Sequence, residues 1–222
     1  IVSLLARLPY DSTKAFAPVA FLGKVPLLLA MPAEGHRTVA ELMADARANP
    51  GKLSYGSTGT GGASHLGGEL FSQLTGGRLL MVPYKGGAAA ATDLAAGRIS
   101  MLLDSQLALQ GVQQAGRVRF LGVASEKPSA VFPELEPVGR ALPGFEATAW
   151  FGVMAPAGTP GAAVERLNNE INRALTDPEL ARQLLSRGFE PQAMTPAAWG
   201  SFIAAETARW GELIKRANLK AE

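Results

Sequence analysis

Apolar residues in this chain fall into short blocks whose spacing alternates between extended and helical. Residues 18–23 (PVAFLG) and 25–31 (VPLLLAM) are short apolar runs bounded by Pro and Gly, the mark of buried strands. Val39, Leu42, Met43 and Ala46 then keep helical spacing, with Thr38 as N-cap and Glu41 completing a capping box. Asn49-Pro50-Gly51 stops that helix. Leu53, Ser54 and Tyr55 end a strand-like run, and a helical pattern resumes at His65, Leu66, Glu69, Leu70 and Phe71, closed by Gly76-Gly77. A strand over 78–84, an alanine-rich helix from Lys85-Gly86-Gly87 to Ala96, a strand over 99–103, a helix over 107–115 and a strand over 118–124 follow. This β-α-β-α-β alternation with short connections predicts a parallel sheet covered by helices on both faces.

The rhythm breaks over 125–147, where Pro128, Pro133, Pro137 and Pro143 predict an irregular connection. A strand over 148–155 and a turn at 156–160 come next. Helices are expected at 161–176, with the stripe Val164, Leu167, Ile171 and Leu175, and at 178–187, with Pro178 in its first turn. A last helix over 196–217 starts at Thr195-Pro196 and offers Trp199, Phe202, Ile203, Trp210 and Ile214 for packing. Residues 1–9 are apolar with weak order signals, and Pro9-Tyr10-Asp11-Ser12 reads as a turn.

Composition narrows the function classes. With 222 residues and 47% hydrophobic content the chain can bury the core of one large domain or two small ones. A net charge of +2 without a dense Lys/Arg run argues against nucleic-acid binding. There is no cysteine, hence no thiol nucleophile and no Cys-ligated metal, and two histidines, His36 and His65, do not make a His-rich metal site. No cofactor is expected. The longest apolar runs are too short to cross a bilayer. The sequence starts at Ile1 without a signal-peptide pattern and reads as a mature or truncated product.

The stretch that organises the rest is 53–68, LSYGSTGTGGASHLGG, a strand, a nearly bare turn and a helix start. Such a turn points backbone N–H groups at one place, and a helix N-terminus adds unpaired donors and partial positive charge, which suits a carboxylate or phosphate. The alternative is a tight strand-to-helix connection that holds nothing. In open α/β sheets ligands bind beyond the carboxyl ends of strands. Three loops fall there: 56–65, with Ser57, Thr58, Gly59, Thr60, Gly61, Ser64 and His65; 84–87, with Tyr84 and Lys85; and 104–106, with Asp104. Each residue has a plainer role as well: His65 as a packed histidine, Lys85 as a solvated helix-start lysine, Asp104 as a helix N-cap, Trp150 as core or hinge packing.

Catalytic motifs do not emerge. Ser64, His65 and Asp104 are triad types, but adjacent Ser and His rarely bond as nucleophile and base, and there is no G-x-S-x-G elbow. The turn has no Walker lysine, and Gly-Thr-Gly-Gly-Ala-Ser over 59–64 lacks the third glycine of a dinucleotide fingerprint. Donors without a base suit binding more than catalysis.

The order of motifs resembles the tripartite tricarboxylate transporter substrate-binding proteins, the Bug family of periplasmic solute receptors. The carriers are Leu8-Pro-Tyr-Asp11 with Phe16-Ala-Pro-Val19, Gly51-Lys-Leu-Ser-Tyr-Gly-Ser57, Ser64-His-Leu66 and Gly68-Glu-Leu-Phe71. Val82-Pro-Tyr-Lys-Gly86, Asp104, Trp150-Phe-Gly152, Ala155-Pro-Ala-Gly-Thr-Pro160 and Arg166-Leu-Asn-Asn-Glu-Ile-Asn172 continue the series. The resemblance implies an α/β clam-shell of the periplasmic-binding-protein type, with parallel-rich sheets. One domain would be built from 1–30 and 148–222, the other from 31–147. It further implies a periplasmic receptor that takes a small organic carboxylate in an interdomain cleft. The receptor would pass its ligand to membrane transporter subunits or a sensor, making no bond. The family's Pro-Gly-Gly-rich opening segment has no counterpart here, so the first domain is expected to be incomplete, with an exposed sheet edge and weakened or absent binding. Gly62-Ala63 also stands where family loops often carry serine. The rival is an α/β hydrolase or transferase using the same loop with His65 as base; an interaction module without ligand is a third reading.

Overall fold

The computed structural model describes residues 2–5 and 8–219. Residues 1, 6, 7 and 220–222, which belong to the expected first domain, lie outside the described residues. The chain divides into two compact units, one running up to Val25 and resuming at Trp150, the other spanning Pro26–Ala149.

In the first unit a short helix α1 (Val2–Leu5) precedes a turn in which Asp11 accepts from the Thr13 amide and hydroxyl at 2.9 and 2.6 Å. Strand β1 (Phe16–Pro26) follows. After the second unit come α7 (Gly161–Leu175), α8 (Pro178–Ser186) and α9 (Pro196–Arg216). They accompany strands β7 (Thr148–Pro156) and β8 (Glu190–Pro191), and the sheet order is β7-β1-β8 with β8 antiparallel to β1. The aromatic set expected on α9 packs on this sheet: Phe21, Trp150, Trp199 and Phe202 stand with ring centroids 5.0–5.7 Å apart. Trp150 is a packing residue here, its indole N–H donating to Glu206 at 3.1 Å. The α7 stripe departs from expectation. Val164 and Leu175 are buried but Leu167 is 48% exposed, and Asn168 takes the inward position instead. Its amide donates to the carbonyls of Val19 and Met194 at 2.7 and 2.8 Å, so a hydrogen-bonded polar group replaces an apolar one.

The second unit is a five-stranded sheet. Its strands are β2 (Leu28–Pro32), β3 (Ser54–Ser57), β4 (Leu80–Pro83), β5 (Met101–Asp104) and β6 (Val118–Val123), in the order β4-β3-β5-β2-β6. Its helices are α2 (Val39–Ala48), α3 (Ala63–Thr75), α4 (Gly87–Ala95), α5 (Gln106–Gln114) and the single turn α6 (Val138–Ala141) inside the irregular connection. The parallel arrangement read from the alternation holds for its strands, β4, β5 and β6, and the exception is β2, which precedes them. β3 is parallel to β4 and β5, but β2 runs antiparallel between β5 and β6. The pattern of a buried strand is the same in either direction, so β2 gave no sign of its orientation. Helices do cover both faces: Leu102 shares a core with Ala90, Leu94 and Leu109 of α4 and α5, whereas its neighbour Leu103 faces Gly67 of α3.

Candidate functional site

Register brings three loops to one edge of this sheet. Gly56 pairs with Leu102, Ser57 pairs with Pro83, and the Tyr84 amide donates to the Ser57 carbonyl at 2.8 Å. The carboxyl ends of β4, β3 and β5 therefore lie side by side, and from them start the connections to α4, α3 and α5. All ten residues singled out above sit on that edge: Ser57 ends β3, Thr58 to Gly61 form the turn, Ser64 and His65 open α3, Tyr84 and Lys85 follow β4, and Asp104 ends β5.

Helix α3 reaches the turn because it lies close on the sheet. A Cβ on Gly68 would stand 2.3 Å from the Tyr55 ring, and one on Gly67 would stand 2.8 Å from Leu103. Tyr55 is buried, and its hydroxyl donates to Glu69 of α3 at 2.5 Å. Burial first, and then this carboxylate, raise the Tyr55 hydroxyl above its ordinary range. In the turn itself Gly61 adopts a φ of 76°, which favours glycine.

Several of the amides in the turn are consumed within it. The Thr58 amide donates to Ser64 Oγ at 3.0 Å, the Gly61 amide to His65 Nδ1 at 3.0 Å and the Gly62 amide to the Gly59 carbonyl at 3.0 Å. Ser57 Oγ donates to the Gly59 carbonyl at 3.3 Å, and Thr58 Oγ1 pairs with Ser64 Oγ at 2.9 Å. What the turn leaves uncapped is the first turn of α3. Its N-cap is Gly62, which has no side-chain acceptor, so Ala63 and Ser64 keep the amides that no helical carbonyl can reach. The same holds at the neighbouring starts: α4 has Gly86 as N-cap and α5 has Ser105, neither making a side-chain cap bond. Elsewhere Thr38, Asp177 and Thr195 cap α2, α8 and α9 with their side chains.

Asp104 is not the N-cap of α5. Its Oδ1 accepts from the Ser105 amide at 2.7 Å and the Ser105 hydroxyl at 3.3 Å, while its Oδ2 is buried without a hydrogen-bond partner. Burial raises the Asp104 carboxyl above its ordinary value, against the pull of Ser105. Gly87 makes room for it: a Cβ there would lie 2.5 Å from Oδ2. Tyr84 turns its hydroxyl to Asp93 at 2.9 Å, and burial together with that carboxylate pushes it up to about 12. Lys85 is exposed. Ser105 and the Ala63 amide are not among the residues singled out from the sequence; Gly62 and Gly86, standing before α3 and α4 where a capping residue is usual, were a sign for those two starts, while α5 follows Ser105 and gave none. In the first unit a separate hollow of about 540 Å³ is walled by Phe16, Trp150, Met154 and Ile203, and none of the ten residues lines it. Among the described residues no acidic or histidine cluster is arranged to hold a metal ion. No helix among them is long and apolar enough to cross a membrane.

The model of the tripartite tricarboxylate transporter family receptor matches residues 3–219. The chain belongs to this family. A UPF0065 protein encoded in the tcbD-tcbE intergenic region of Pseudomonas sp. strain P51 is 40% identical over 218 residues, 97% of this chain and 65% of that protein. The chain thus spans 65% of the length of that relative. Among solved structures, R. palustris Rpa4515 with adipate superposes with a TM-score of 0.84 at 34% identity, covering 97% of this chain and 73% of that one. The periplasmic binding protein BugD superposes with a TM-score of 0.80 at 28% identity, covering 99% and 75%. The fold is the α/β fold of these periplasmic binding proteins, with sheets that mix parallel and antiparallel strands.

Proposed function

We propose that this receptor captures a small organic carboxylate at the carboxyl edge of β4-β3-β5. It would do so in the periplasm, for membrane transporter subunits of the tripartite tricarboxylate type or for a sensor. The observation that carries the reading is the group of three neighbouring helix starts, α3, α4 and α5, whose amides no side chain caps. Three uncapped N-termini give backbone donors and partial positive charge, and a carboxylate supplies what both lack. The adipate on Rpa4515 supports this ligand class. The proposed site is built from Ser57, Thr58, Gly59, Thr60, Gly61, Ser64 and His65, with Tyr84, Lys85 and Asp104 around them. The proposed working step is hinge closure on the bound anion with no covalent change.

The hydrolase or transferase reading needs His65 as a base, and its Nδ1 lone pair is already taken by the Gly61 amide. A substitution isolates the backbone donor. Ala63 is the first residue of α3, where proline is tolerated, and Gly62 before it has φ −71° and ψ 166°, the extended conformation that a following proline demands. Ala63→Pro therefore deletes one N–H while keeping the helix. Calorimetric titration with adipate should show affinity falling roughly tenfold or more, with the unfolding midpoint unchanged. Undiminished affinity would remove the amide from the proposed site.

A further inference from the structure

We infer that the side chains of Ser64 and His65 are positioning groups, which lock the glycine turn to the first turn of α3 instead of touching the ligand. The inference takes from the receptor reading only its consequence for binding. Both side chains are buried, each 4% exposed. Ser64 Oγ accepts the Thr58 amide at 3.0 Å and pairs with the Thr58 hydroxyl at 2.9 Å, fixing the start of the turn. His65 Nδ1 accepts the Gly61 amide at 3.0 Å, fixing its end at the residue with left-handed φ. A ring nitrogen that accepts an amide proton carries no proton of its own, so the neutral imidazole holds its proton on Nε2. Protonation at Nδ1 would set two donors against each other.

The two bonds tie 58 and 61 to 64 and 65, so turn and helix start form one rigid piece. Binding then costs little ordering, and the Ala63 and Ser64 amides stay fixed in place. In this division of labour the glycine-rich turn takes its acceptors from its own helix. The hydroxyl and the imidazole are spent on the loop, and the amides of the helix start are left for the anion.

The test is nitrogen-15 NMR of the 222-residue chain without ligand, followed by adipate titration of variants. The expected result is a neutral His65 with Nδ1 unprotonated and a Gly61 amide protected from exchange. His65→Leu removes the acceptor and should speed Gly61 exchange roughly tenfold and weaken adipate binding. His65→Asn, whose amide oxygen reaches the place of Nδ1, should restore both. A proton on Nδ1 in the wild type, or Gly61 exchange indifferent to the leucine, would overturn the assignment. If the leucine variant does not fold, the wild-type tautomer still decides. If adipate binds neither protein, the receptor reading falls while tautomer and exchange still judge the positioning role.

Discussion

Asp104 is the residue where burial and charge are most at odds. Its Oδ2 lies buried without a partner, and burial raises its carboxyl above the ordinary value of 3.8. A carboxyl raised on folding gives its full stability contribution below the ordinary value and loses it as pH climbs through the raised one. Asp104→Asn has no such titration. Lowering the pH from 7 toward 4 should therefore stabilise the wild type relative to the variant, with the variant the more stable of the two at pH 7. Thermal unfolding of both proteins across that range checks it, and parallel curves would show that the carboxyl is not held in an apolar setting. The position of Asp104 at a strand end was legible from the apolar run before it. The accommodation at Gly87 was not, because it comes from a helix that neighbours Asp104 only in space. Nor could the sequence tell that the Thr58 and Gly61 amides are spent within the turn, since that depends on where Ser64 and His65 point.

Helix boundaries were the most readable elements, because caps are written locally. Thr38 accepts from the Glu41 amide at 3.1 Å, one half of the expected capping box, while the Glu41 carboxylate accepts from the Arg37 amide at 2.7 Å, one residue before the N-cap. Strand direction was not readable, and β2 is the case in point. The missing caps at α3, α4 and α5 show how a local rule yields at a candidate site. Helix α3 would be steadier with an acidic cap. Gly62 has an ordinary extended φ of −71°, although its Cβ would stand 3.1 Å from the Gly59 carbonyl and need slight adjustment. Gly62→Asp should raise folding stability by about 0.3 kcal/mol and weaken adipate binding by roughly tenfold or more. The new carboxylate would occupy the amides and repel the ligand. Chemical denaturation and calorimetry read the two effects separately; stability gained with affinity intact would place the anion elsewhere.

At the scale of the molecule, the two units divide the residues by kind. All three tryptophans lie in the unit that resumes at Trp150, and all ten candidate site residues lie in the unit spanning Pro26–Ala149. The family was legible because its motifs run in order through nearly the whole chain, matching the stretch 3–219. Ligand identity was not legible, because backbone amides recognise a carboxylate without recording which one. The central claim is that amides at the carboxyl edge of β4-β3-β5 receive the ligand, and amide-resolved NMR during an adipate titration tests it most directly. The account predicts that the largest shifts fall on Ala63 and Ser64 and on the starts of α4 and α5, with α8 unmoved. Shifts centred away from that edge, or none at millimolar adipate, would contradict it.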